Sequence, residues 1–507
     1  MPADVRRVRL PSILRVQSFP AFAAWLALVL LVLLVSRPDK SGDFFEYGVT
    51  TIAIARHGTP DVRVDDAALA AALSPETGYR DLFLAMRDGI ARGEQVPMPG
   101  LYRGKDGMFT IHFFAYPALV ALPFRVLMDV GAANPFKAFQ LVNFAALWLL
   151  GLVMFRFFGS GRRAFAALAL VLASGGILYR NWCSPEMVTA AALLAGMMLF
   201  VLGRPLVGGL LAGVAAMQNP SLAFFSVFAP LFAVLYARSE QHSGRWPGWG
   251  PLLAGAALQG TLALLPFAFG QWQWGTPSII AQYSTDRQFV GLERLHSYYF
   301  DLNQGMILAV PGILVLLAGV FPQRQRRLAL AAALLTVLFM LGLALPTLSA
   351  VNWNAGGKGV MRYAFWGAVP LLFLALSWLR SRAQWPRVLL GMVFVLQAGA
   401  MAHARQYEYT QFSPLARYVL DHAPAFYDPD PEIFFERSRN ADGSMDPSGV
   451  AVYPGQGPAR KVLFNTAGGH ADRLLCPAGR RLSADLPVVE LRGGWRYLNG
   501  APACVLP

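Results

Sequence analysis

The feature that most constrains this chain is a series of long apolar runs almost free of charge. Residues 21–35, 165–178 and 328–345 contain no Asp, Glu, Lys or Arg. No water-facing surface can be built from such segments, and inside a bilayer only helices or closed barrels satisfy the backbone. The runs do not alternate polar and apolar residues, so they read as helices rather than barrel strands. Of the 507 residues, 14% are charged and 55% hydrophobic, whereas about a quarter of a soluble chain is charged. The expected fold is an all-α polytopic membrane bundle, with a small β-rich domain at the C-terminus.

The formal net charge is +14. The excess is mostly arginine in short loops, which orients helices and argues against a nucleic-acid partner. Arg6, Arg7, Arg9 and Arg15 precede the first run and predict a cytoplasmic N-terminus. With no small-residue cleavage site before Pro38, that run reads as a retained helix rather than a signal peptide. Keeping arginine on one side predicts eleven spans, at 21–35, 138–155, 164–179, 187–202, 206–217, 221–235, 251–269, 304–320, 328–345, 363–379 and 388–404. The inner loops then carry Arg162 and Arg163, Arg204, Arg238 and Arg245, the Arg324, Arg326, Arg327 group, and the Arg380, Arg382, Arg387 group.

Residues 112–130 are also apolar, but counting them as a span would turn those arginines outward. Pro117, Pro123, Arg125 and Asp129 interrupt the segment as well. It therefore reads as interfacial or re-entrant. Residues 1–404 form the membrane domain, with a first external loop at 36–111, and 405–507 form the external domain, with strands expected at 461–464 and 488–491. Cys183, Cys476 and Cys504 lack zinc-ligand spacing. An external, oxidising location for the tail predicts a Cys476–Cys504 disulfide with Cys183 free.

The polar residues a site would need gather in the external loops. Asp43 and Glu46 follow the first run directly and share one face if that segment is helical. A carboxylate fixed at a membrane exit suits a general base, though capping the start of an amphipathic helix would explain it more plainly. Lys105 and His112 flank the 112–130 segment and could reach a phosphate or simply anchor at the interface. Arg287, Arg294, Lys358 and Arg362 place cations outside, where orientation does not account for them but an anionic lipid head would. Simple neutralisation of external carboxylates is the plainer account of these four. Arg180 and Glu186 flank a turn and read as a structural ion pair.

In this order, the segments Gly42-Asp43-Phe44-Phe45-Glu46-Tyr47, Tyr116-Pro117-Ala118-Leu119 to Leu122-Pro123-Phe124, Asp301-Leu302-Asn303-Gln304-Gly305 up to Pro311, and Trp353 to Gly357 followed by Arg362-Tyr363 resemble motifs of the GT-C superfamily. This superfamily of membrane glycosyltransferases includes bacterial aminoarabinose transferases and protein O-mannosyltransferases. The resemblance covers residues 21–404. Many relatives carry adjacent acids where this chain has Asp43 and then Glu46.

The resemblance implies an inverting glycosyltransferase in the bacterial inner membrane. It would move a sugar from a polyprenyl-phosphate donor to an envelope glycan, lipid or protein on the external face. Asp43 is then the expected general base, with Glu46 beside it. Lys105, His112, Arg287, Arg294, Lys358 and Arg362 are expected around the donor phosphate, and Tyr47, His57, His296, Asp301 and Trp353 in the pocket. Some relatives use a divalent metal and others do not; without a dense carboxylate cluster, no cofactor or metal is expected here. The rival readings are a lipid-linked sugar transporter and a glycan polymerase or ligase. A transporter would place ionisable groups at mid-membrane and show repeated halves, and neither is visible.

Overall fold

The computed structural model describes residues 18–238, 247–353, 359–443, 445–467 and 469–506. Arg6, Arg7, Arg9, Arg15, Arg245 and Lys358 lie outside the described residues, as does the Asn354 to Gly357 part of the glycine-rich loop. Among the described residues, seven helices are long and apolar enough to cross a membrane: Lys137–Phe158, Gly161–Tyr179, Pro220–Ala237, Trp249–Trp274, Gln323–Ser349, Arg362–Arg380 and Arg387–Ala404. Four shorter apolar helices, Phe19–Val35, Glu186–Val201, Pro205–Gln218 and Pro311–Val320, fall on the other predicted runs. Length and composition therefore support seven spans, and not by themselves eleven.

The shortening has local causes. The segment expected to begin at residue 304 becomes α-helical only at Pro311, after a single 3-10 turn at Met306–Leu308. Upstream of it, Asp301 Oδ1 accepts hydrogen bonds from the backbone N–H of Asn303 at 2.8 Å and of Gln304 at 2.9 Å, which fixes a turn. Gly161–Tyr179 is broken near its end, where Ser174 (φ −103°, ψ 41°) and Gly175 (φ 106°) leave helical geometry. A Cβ at Gly175 would lie 2.6 Å from the Phe365 ring, so the position excludes a side chain. Gln397 binds polar groups of that break. Its Nε2 donates to Ala309 O at 2.6 Å, Ser174 Oγ at 2.8 Å and Ala173 O at 3.3 Å, while its Oε1 accepts from Gly312 N–H at 2.7 Å. One fully buried amide thus ties its own helix to two interrupted segments, since backbone groups in an apolar interior must find a partner.

The first loop is itself helical. Phe44–His57, Val64–Ala72 and Thr77–Ala91 precede a hairpin of Leu101–Arg103 and Met108–Thr110, and then the helix Ala115–Asp129. These elements share a core built on Phe44, Phe83, Phe124, Phe136 and Phe139. The 112–130 segment is thus largely helical, with Pro123 inside the helix, and packs on Phe44–His57 and Lys137–Phe158.

After Ala404 the chain forms the short helices Pro414–His422 and Pro431–Arg439 and an antiparallel sheet. The sheet's strand order is Val450–Tyr453, Lys461–Asn465, Trp495–Leu498, Val488–Glu490. Both expected strands lie in this sheet. Cys476 and Cys504 form a disulfide with Cα atoms 5.7 Å apart, and Cys183 is free and buried.

A buried polar seam docks this domain. Arg294, 1% exposed, bonds Glu432 at 2.8 Å, Asp430 at 3.2 Å and the carbonyls of Leu348 and Ala350. Tyr427 O–H donates to Asp301, Arg437 to Gln304, and Ser413 N–H to Asn303. Arg294→Met leaves Asp430 and Glu432 without that buried cation, a loss of about 3–5 kcal/mol. The expected result is faster release of the 405–507 region under limited proteolysis. Unchanged protection would contradict the docking role.

Candidate functional site

The site is assembled by three segments far apart in sequence. Backbone pairing of residue 39 with the turn at 181–183 fixes the exit of the first apolar helix: Asp39 N–H donates to Asn181 O and Cys183 N–H to Asp39 O. Trp182 Nε1–H donates to Ser41 Oγ at 2.6 Å. Asp43 then takes the N-cap position of Phe44–His57, yet its side chain caps nothing. It turns instead to Arg362, at the head of the Arg362–Arg380 helix, with Nη1 to Oδ2 at 2.5 Å. The capping account of Asp43 therefore does not describe its carboxylate.

The hairpin supplies the third segment. Thr110 pairs with Leu101, Ile111 N–H donates to Gly100 O, and Thr110 Oγ1 lies 2.9 Å from Thr50 Oγ1. This delivers His112 between two carboxylates, with Nε2 3.0 Å from Asp43 Oδ2 and Nδ1 2.7 Å from Glu46 Oε2. Gly100, at φ +92°, permits that closure, because a Cβ there would sit 2.5 Å from Glu46 Oε1. Tyr47 sets its ring edge-on to His112, with centroids 5.3 Å apart. Gln218 bridges behind it, donating to Tyr47 Oη at 3.4 Å and accepting from Tyr116 N–H at 2.9 Å.

The charges reinforce one another. Burial pushes the Asp43 carboxyl up, but Arg362 and His112 outweigh it and hold the group well below the usual carboxylate range. Burial pushes Glu46 up and prevails over His112. For His112, burial opposes the charged form, but Glu46 and Asp43 overcome it and raise the imidazole well above its ordinary value. The result is an ionised carboxylate clamped between two cations. The side chain of Asp43 is 18% exposed and that of His112 22%, so the clamp is open on one side. Arg362 Nε and Glu186 Oε2 are buried without hydrogen-bond partners.

Several expected residues stand elsewhere. Arg294 is not free for a phosphate, being spent on the domain seam. His112 has both ring nitrogens on carboxylates, so it bridges rather than binds an anion. Lys105 and Arg287 are exposed, and Lys105 is tied at its backbone N–H to Gln273 O. His57 bonds Asp66 and Thr59, at the end of its helix. His296 is exposed beside Phe300. Asp301 is buried in its own turn, and Trp353, fully buried, donates its backbone N–H to Glu432. Arg180 turns back to Ile177 O rather than pairing with Glu186. Glu186 instead lies within electrostatic reach of Arg362 and Asp43.

Gly100, Gln218 and Glu186 carry no local sign of this role, because their partners are more than fifty residues away in sequence. Among the described residues no three His, Cys, Asp or Glu side chains converge as ligands of one metal; His112 addresses its two carboxylates through different nitrogens. No family model and no curated protein matches the chain.

The raised imidazole carries a sign that can be checked. Stability from protonated His112 is fully present below about pH 6.5, its unfolded value. It is lost as pH rises through the higher folded value. The difference in melting temperature between wild type and His112→Gln should therefore shrink as pH rises into the alkaline range. A difference that grows with pH would contradict the bridge.

Proposed function

We propose that this chain is a membrane glycosyltransferase of GT-C type. In this reading it transfers a sugar from a polyprenyl-phosphate donor to an envelope acceptor on the external face of a bacterial inner membrane. The eleven apolar helices would be its spans, 112–130 an interfacial element, and the C-terminal domain external. The observation that carries the proposal is the Asp43 clamp: a carboxylate at the exit of the first apolar helix, kept ionised by Arg362 and His112 and partly open to solvent.

Such a group can do one chemical job well. The acceptor oxygen attacks the anomeric carbon while its proton passes to Asp43. The bond from that carbon to the phosphate oxygen breaks, and the electron pair leaves with the phosphate. Direct displacement inverts the anomeric carbon. Arg362 places Nη1 on Asp43, and its permanent positive charge beside the site would stabilise the departing phosphate. As Arg362 shares its charge with that phosphate, Asp43 becomes a stronger base with the donor bound. Glu46 holds His112 in place and so positions the clamp.

Asp43→Asn keeps the side-chain size and removes the proton acceptor. The expected loss is about 10²–10⁴-fold in transfer from a polyprenyl-phosphate sugar in membranes, at normal protein abundance. Wild-type transfer by Asp43→Asn would remove Asp43 from catalysis. Movement of such lipids across a bilayer by the purified protein, without transfer, would favour a transporter.

A further inference from the structure

The opposite end of the bundle holds a second charged concavity that the proposed reaction does not use. The Arg362–Arg380 helix begins at the Asp43 clamp and ends at this cavity. Its 19 residues make it about 28 Å long, close to the thickness of a bilayer's hydrocarbon core. The Lys137–Phe158 helix makes the same crossing. Lys137 Nζ donates to Leu34 O at one end, and Arg156, Phe157 and Phe158 line the cavity at the other. The two sites therefore sit at opposite helix ends.

The cavity measures about 820 Å³. Four arginines from the ends of three helical segments line it, namely Arg156, Arg324, Arg380 and Arg382, together with Gln323, Gln325 and Ser381. Among the described residues no carboxylate lines it, and the three segments at the helix ends, 156–163, 321–327 and 380–387, contain no Asp or Glu. Phe157, Phe158 and Phe321 form an apolar floor. Arg380 lies over the Phe157 ring at 4.5 Å and Arg156 over Phe19 at 4.8 Å, so aromatic faces hold two of the guanidinium groups.

Orienting helices requires only that arginines lie on one side of the membrane. It does not require that four of them, with amide side chains between, line one open hollow. An open, basic concavity lined by several guanidinium groups is matched by a phosphodiester, which a planar fork can bind through two hydrogen bonds. The apolar floor at helix ends is matched by the glycerol and first acyl carbons of a lipid, and basic pockets between helices hold anionic headgroups in this way. We infer that this cavity is a binding site for the headgroup of an anionic phospholipid, distinct from the donor site and at the other face of the bundle. The inference stands whether or not the transferase reading holds.

The test uses the purified full chain in mixed micelles. Lipid retention through delipidation is read by native mass spectrometry, with phosphatidylglycerol and phosphatidylcholine as probes. Wild type should retain phosphatidylglycerol and not phosphatidylcholine, a comparison that needs no variant. In Arg324→Gln with Arg382→Gln, retention should fall roughly thirtyfold, the equivalent of about 1 kcal/mol for each arginine. Arg326→Gln with Arg327→Gln removes the same charge outside the cavity lining and should keep retention near wild type. Equal loss in both pairs, equal retention of the two lipids, or displacement of phosphatidylglycerol by millimolar inorganic phosphate would overturn the proposal.

Discussion

Asp43 and Arg362 stand 319 positions apart in sequence, yet their side chains meet at 2.5 Å. A carboxylate and a guanidinium in so little water are costly apart and tolerable only together. The contact therefore constrains everything that carries the two groups. The first apolar helix must end where residue 39 can pair with the turn at 181–183. The Arg362–Arg380 helix must begin at the same level, and the hairpin must close over Glu46, which Gly100 alone permits there. His112 then adds a second cation and makes Glu46 part of the same group.

Much of this organisation is legible in the chain itself. Apolar length and arginine spacing mark where the helices fall, and the two late cysteines and the strands of the tail are found as expected. Asp43, Glu46, His112, Tyr47 and Arg362 are all recognisable as candidates, and they do come together. Their division of labour is not legible. Arg294 and Arg362 look alike in sequence as external cations, and only packing sends one to Asp430 and Glu432 and the other to Asp43. Asp301 and Trp353 are likewise drawn into the domain seam, because the C-terminal domain offers Tyr427 and Glu432 as partners. Helix length fails for a related reason. A run of apolar residues does not reveal that a single buried amide, Gln397, will sustain breaks at Ser174 and near Gly312.

The two ends of the bundle show different uses of arginine. At the clamp, one arginine neutralises a carboxylate. At the far cavity, four arginines line one hollow with no carboxylate among the described lining residues, and aromatic faces hold two of them. The first arrangement suits chemistry that creates negative charge on a leaving phosphate, and the second suits standing recognition of one already present.

The central claim is that Asp43 assists direct displacement at an anomeric carbon. It is tested most directly by the stereochemistry of the product made by the purified chain from a polyprenyl-phosphate sugar of known anomeric configuration. The account predicts a glycoside of inverted configuration. A product of retained configuration would require a covalent or second displacement step, with a carboxylate acting as nucleophile rather than as base, and it would contradict the account.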